Sequence, residues 1–259
     1  MEGRSMTTIL AAIDDSAAAR PVLAAAQAVA ELWHARVEAL HVREDGDGRT
    51  ARAAADSADE SMRVESGDAV TRLVDAAAEA GVVAVVVGAR ARPGSRRPAG
   101  HVAVELVTRC AKPVIVVPPE APCRSEFRRI LVALEGTAAT SQQLRPVMEL
   151  GRDQRLDVIV VHVDDEASIP LFSDQPQHET DAFATEFLAR YGPHDDGLPT
   201  LELRFGEPAE EVLSVCDDTA ADLVVIAWSR SLAPGHARFV RHVLKHARIP
   251  VMLLPTGVG

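Results

Sequence analysis

A chain of 259 residues has room for one large domain or two of ordinary size, and its 47% hydrophobic and 25% charged residues are the balance of a globular protein with a sizeable core. Aromatic residues make up only 3%, so that core must be built from Ala, Val, Leu and Ile, which suits helices lying closely on a sheet and disfavours barrels and sandwiches. A formal charge of −11 opposes attraction to nucleic acid and to anionic lipid, so neither is expected as a partner.

The first apolar segment, ILAAI (residues 9–13), is short and stops at Asp14 and Asp15, unlike a signal peptide. It reads as a strand, with Ser16 marking the start of an Ala-rich helix. VEALHV (37–42) is the second strand; REDGDGRTARAAADSADES follows, polar and Ala-rich, with a weak helix at best and disorder expected near residues 45–50. A short third strand leads to a helix opened by Asp68, whose charge suits a helix amino end. VVAVVV (82–87) is a continuous apolar run, as in a parallel strand covered on both faces. A loop with Gly88, Gly94 and Gly100 and with Arg90, Arg92, Arg96 and Arg97 then gives way to a helix and the strand PVIVV (113–117). PEAPCRSEF (119–127) breaks the periodicity and reads as a linker.

After the linker the pattern repeats. Residues 7–42 align without a gap on 128–163, and 66–90 on 205–229, the register widening from 121 to 139, so the first half lacks 18 residues between its second and third strands. The second half carries RILVAL, DVIVVHV, LELRF, DLVVIAW and PVMLL as strands, Glu207 as a helix start, and a longer insertion in which Phe183, Phe187 and Leu188 suggest a helix with an apolar face. Alternating strands and helices with right-handed crossovers imply an α/β fold of two tandem doubly wound parallel five-stranded sheets, Rossmann-like or flavodoxin-like, with domains at 7–118 and 127–257.

Three cysteines, Cys110, Cys123 and Cys216, stand far apart and outside any CxxC pair, so neither a disulfide framework nor a zinc site is indicated and a reducing cytoplasm fits. No apolar run approaches the roughly 18 residues of a membrane span. There is no G-x-S-x-G nucleophile elbow, no Walker loop and no base or metal cluster pointing to strong catalysis; slow ATP hydrolysis is the most the residues offer. His41 and His162, each followed by Val, occupy the same point of both halves and read as hydrogen-bonded structure. Acidic residues at 14 and 15 occur where receiver domains hold a metal. Lys112 and Pro113, however, precede their strand at the opposite end of the sheet, which argues against phosphorelay.

The AIDDS strand end, LHV closing strand two, the Gly-rich loop after strand four, the helix beyond it and a Pro-initiated last strand, all occurring twice in whole or part, resemble the universal stress protein family in a tandem form. The resemblance implies a pseudo-twofold internal dimer through the last strands. It also implies, in one branch, ATP binding by Gly, two residues, Gly, nine residues, then Gly and a small hydroxyl. Here Gly88, Ala91, Gly100 and His101 take those places, a degraded version, while Asp14 matches the residue that reaches the adenosine end and Val42 the residue whose backbone faces adenine. Glycines that permit positive φ and a helix amino end would cradle phosphate, with Arg90 and its neighbours as added grips. His101 adds a contact when protonated. In the second half Ala227, Arg230, Ala237 and Arg238 replace the motif, Trp228 follows the strand and Glu135 replaces Asp14, so that cradle is expected to be lost. The resemblance thus implies a stress-response binding protein with an adenine-nucleotide site, ATP or AMP, in its first half alone. The alternative is a partner-binding dimer module without a nucleotide, its protein partners unknown. A further homodimer is compatible with either.

Overall fold

The computed structural model describes residues 7–43, 48–89, 100–135, 138–164, 186, 199–231 and 236–256. The first half runs β1 (Thr8–Ala12), α1 (Ala19–Trp33), β2 (Arg36–Arg43), α2 (Arg49–Ser57), β3 (Ser61–Ser66), α3 (Ala69–Ala78), β4 (Val82–Gly88), α4 (His101–Arg109) and β5 (Val114–Val117). The second runs β6 (Arg129–Ala133), α5 (Ala138–Asp153), β7 (Asp157–Asp164), β8 (Thr200–Phe205), α6 (Pro208–Thr219), β9 (Leu223–Trp228), α7 (His236–His246) and β10 (Val251–Pro255). The apolar runs predicted as strands form the strands. The helix expected around Phe183, Phe187 and Leu188 lies outside the described residues.

The strand order is β3-β2-β1-β4-β5-β10-β9-β6-β7-β8, one sheet in which each half repeats the doubly wound order and all pairings are parallel except the central one. There β5 meets β10 antiparallel, with Val116 opposite Val251, Ile115 opposite Met252 and Val114 opposite Leu253. The two sheets expected from the repeat therefore join through their last strands into ten strands. Extending the register sets Val117 against Pro250 and Pro113 against Leu254. Pro113 and Pro250, which open the two strands, thus bound the ladder, because antiparallel pairing brings each strand's start to its partner's end.

Each sheet face carries one core that crosses both halves. Leu23 and Val29 of α1 share a cluster with Leu144 and Met148 of α5. On the other face, Leu73 of α3, Leu106 of α4, Val215 of α6 and Val243 of α7 pack together. Small alanines in α1 let its axis lie close to the strands, as the low aromatic content requires.

The expected disorder near residues 45–50 is corrected over its described part: Gly48 caps α2, and Arg49 and Thr50 form its first turn, while 45–47 lie outside the described residues. Ala51, Ala54 and Ala55, spaced i, i+3, i+4, are buried, so this polar helix has a narrow apolar stripe after all. What holds it is Asp15, whose carboxylate accepts the N–H of Gly48 and that of Ala51, both at 2.9 Å. Gly48 sits at φ +69°, a conformation glycine tolerates, and a Cβ there would stand 3.1 Å from the His41 ring. The Ala51 N–H is the largest influence holding the Asp15 carboxyl below its ordinary range; lost hydration opposes it, and the Gly48 N–H reinforces it. A lowered pKa means stability that is whole above the unfolded value near 3.9 and lost as pH falls through the folded value. Asp15→Ala is accordingly expected to cost about 1 kcal/mol at pH 7, on the low side of cap values because the carboxylate is exposed. Urea titrations of the two proteins should differ constantly above about pH 5 and converge in acid below the carboxylate range; a gap that persists in acid would assign the loss to something other than the carboxylate.

Asp68 caps α3 as predicted, accepting the Thr71 N–H at 2.8 Å. Ser16 and Glu207 differ. Helix α1 starts at Ala19 without a side-chain cap, the Ser16 hydroxyl accepting the Ala18 N–H at 3.2 Å one turn earlier, and Glu207 precedes α6 without a side-chain cap bond, with Pro208 at the first position, where the N–H it lacks would have had no helical partner. His41 and His162 are twin tethers: the Nδ1–H of each donates to the carbonyl at the end of the neighbouring strand, Ile13 at 3.1 Å and Leu134 at 2.8 Å.

Candidate nucleotide site

The carboxyl ends of β1, β2 and β4 meet where the strand order reverses between β1 and β4, the crevice in which doubly wound sheets place ligands. A cavity of about 230 Å³ opens there. It gathers the five described residues singled out from sequence: Asp14 beyond β1, Val42 in β2, Gly88 ending β4, and Gly100 and His101 at the start of α4. Arg90 and Ala91 lie outside the described residues. Its apolar wall comes from Leu40 and Val87 of the sheet and from Ala69 and Leu73 of α3, contributions that no motif marked. The signal for them was only the helical spacing of α3, which reads equally as ordinary core.

Asp14 is exposed, and its Oδ1 accepts both the backbone N–H of Ser16, at 3.0 Å, and the Ser16 hydroxyl. The serine thus orients the carboxylate at the cavity mouth. At the other side, Gly100 is the residue before α4, with φ −68° and ψ 161°. Its N–H donates to the Ala89 carbonyl at 2.6 Å and its carbonyl accepts the Val104 N–H at 3.1 Å. The first-turn donors of α4 are therefore the N–H groups of His101, Val102 and Ala103, at the positive end of the helix dipole.

This geometry corrects the reason for the glycines. Neither Gly88 nor Gly100 is among the residues with positive φ, which among described glycines are Gly48, Gly67 and Gly206. A Cβ at Gly100 would meet the Ala89 carbonyl oxygen at 3.5 Å, an ordinary contact. Gly100 is an extended position that any residue can adopt, and its own N–H is already engaged.

In the second half, Ala227 and Trp228 end β9, and Arg230 has φ +58°. Trp228 is 3% exposed, and its indole N–H donates to the Val107 carbonyl of α4 at 3.0 Å. Arg238 pairs with Glu207 at 3.4 Å. Trp228 and Arg238 are thus engaged with the protein itself. Elsewhere, Lys112 Nζ donates to the carbonyl of Glu79 at the end of α3, at 2.6 Å, and Asp15 holds α2, so these two of the residues weighed for phosphorelay have structural duties. Cys110 and Cys216 are buried; burial pushes both thiols up, that of Cys216 to about 12. Among the described residues no group of three or more His, Cys, Asp or Glu side chains is placed to hold a metal.

Comparison with known proteins follows the same outline. A universal stress protein from Archaeoglobus fulgidus DSM 4304 is 13% identical, with a TM-score of 0.68 over 96% of this chain and 98% of its own. A putative universal stress protein from Pseudomonas aeruginosa UCBPP-PA14 is 15% identical, with a TM-score of 0.67 over 97% and 94%. At these identities the likeness establishes the fold. A universal stress protein from Archaeoglobus fulgidus described in complex with dAMP covers 49% of this chain and 98% of its own at 20% identity, with a TM-score of 0.34. No curated protein matches the sequence. The model of the Universal stress protein family matches residues 43–118 and 126–255, once in each half. The chain therefore belongs to the universal stress protein family, as a member with two such domains in tandem.

Proposed function

We propose that the first half binds an adenine nucleotide, ATP or AMP, weakly, and that the chain is a cytoplasmic stress-response binding protein. The observation that carries this reading is the convergence of Asp14, Val42, Gly88, Gly100 and His101 on one cavity beside the amino end of α4. The sugar end of the ligand lies toward Asp14, the base along Val42, and the phosphates toward the N–H groups of His101, Val102 and Ala103, with Arg90 and Ala91, next in sequence after Ala89, as further contacts. A dipole end and three aligned donors favour an anion there.

Titration calorimetry with ATP and AMP tests it, and absence of heat at millimolar ligand removes the nucleotide. Gly100→Asp sharpens the test. The backbone is already extended and a Cβ has room, so the fold should hold, gaining a few tenths of a kcal/mol from a preferred cap residue. A carboxylate facing the phosphates should weaken binding by about two orders of magnitude. Unchanged affinity in a folded variant would move the phosphates elsewhere.

The second reading, a partner-binding module without nucleotide, is favoured by the engaged Gly100 N–H and by the absence of a positive-φ backbone at Gly88 and Gly100. Native mass spectrometry of gently purified protein separates the two readings by the presence or absence of a copurified nucleotide.

A further inference from the structure

Helices α6 and α7 pack side by side on one face of the sheet and run parallel, since each leads into one of the parallel strands β9 and β10. Each carries a single sign of charge. Helix α6, PAEEVLSVCDDT, has four carboxylates and no basic residue, whereas α7, HARFVRHVLKH, has Arg238, Arg241 and Lys245 and no carboxylate. Their counterparts in the first half mix signs: Arg72 with Asp75 in α3, Glu105 with Arg109 in α4. The duplicated chain thus supplies its own control, and the segregation is particular to the second half.

The inward sides of the pair, Val212 and Val215 on α6 and Val240 and Val243 on α7, are buried against the sheet, and Glu210, Asp217, Arg238, Arg241 and Lys245 are exposed. Arg238 and Glu207, 3.4 Å apart, join the two stripes at their amino ends. A patch with an acidic stripe beside a basic stripe is self-complementary under a twofold axis, because rotation lays the acidic helix of one copy on the basic helix of the other. That axis lies along the helices, so the facing helices run parallel. Glu210 and Asp217 are seven residues apart, as are Arg238 and Lys245, which places both charge pairs about 10.5 Å apart along their helices. In the parallel arrangement Glu210 meets Arg238 and Asp217 meets Lys245, twice over.

We propose that two copies of this chain associate through the α6–α7 face, in a dimer held by charge and therefore weakened by salt. This is independent of any nucleotide. Sedimentation velocity of the full chain is expected to give a dimer in about 50 mM salt that yields monomer in about 500 mM. Two charge-reversed proteins are the decisive reagents: Arg241→Glu with Lys245→Glu, and Glu210→Lys with Asp217→Lys. Each alone should raise the dissociation constant about tenfold or more, and their mixture should restore a dimer at low salt, since each then offers the stripe the other lacks. Circular dichroism establishes that both remain folded; should one not fold, the single reversals Lys245→Glu and Asp217→Lys carry the same mixing test. A wild-type chain that stays monomeric at about 200 µM in low salt, a dimer indifferent to both reversals, or folded variants that do not recombine would each overturn the proposal.

Discussion

Trp228→Ala is expected to cost about 3–5 kcal/mol of stability, the range for removing a buried aromatic side chain from a close-packed core. The side chain is 3% exposed at the end of β9, in the second half, and its indole N–H serves the Val107 carbonyl of α4, in the first. Val107 stands in the last turn of α4, where carbonyls have no partner within the helix. One residue therefore fills core volume and caps a helix across the junction. Trp228→Phe separates the two roles. It keeps most of the volume but leaves a buried carbonyl without its donor, at about 1–3 kcal/mol. Urea unfolding followed by circular dichroism measures both, and hydrogen exchange should show the last turn of α4 opening more readily in each. A phenylalanine variant as stable as the parent would mean that the indole N–H bond adds nothing and that volume alone matters.

That role for Trp228 was not legible in the sequence, where the residue reads only as bulk in place of a glycine motif. The strands were legible, because a parallel strand buried on both faces must be a short continuous apolar run, and VVAVVV and DLVVIAW are such runs. The repeat was legible too, whereas the pairing of the two final strands came from the family resemblance and is matched by the β5–β10 ladder. Asp14, Val42, Gly88, Gly100 and His101 line one cavity because the carboxyl ends of parallel strands and the segments that follow them fall at one edge of the sheet whatever the details. What failed was the inference from residue type to backbone geometry: Gly88 and Gly100 suggested positive φ, yet glycine permits that conformation without requiring it. Long-range polar duties were hidden as well. Nothing near Asp15 in sequence says that it caps a helix starting more than thirty residues later, since the contact is created by the crossover from β1 to β2 and back to α2.

Asp222 is the other position where a single change is expected to be severe. Its side chain is 4% exposed at the start of β9, and the carboxylate has no idle oxygen. Oδ2 accepts the backbone N–H groups of Arg128, at 2.9 Å, and Arg129, at 3.1 Å, where the linker enters β6, and Oδ1 accepts Arg124 Nη1 from the linker itself. Asp222 thus fixes where the connecting segment ends and the second half begins. Asp222→Ala removes the acceptor from two backbone donors that lose water on folding, at about 1–3 kcal/mol each, so a loss of roughly 2–5 kcal/mol is expected. Asp222→Asn can keep its amide oxygen at the Oδ2 position and both backbone bonds, but it turns an NH2 donor toward Arg124 in place of the accepting oxygen, and should cost about 1–2 kcal/mol. Arg124→Ala should cost less still, because that side chain is 58% exposed and exposed ion pairs contribute under about 1 kcal/mol. The predicted order is therefore Ala well above Asn at 222, and both above Ala at 124, measured as shifts in urea midpoint at constant slope. If Arg124→Ala proved as damaging as Asp222→Ala, the ion pair and not the capture of the two backbone N–H groups would be what secures the second half to its linker.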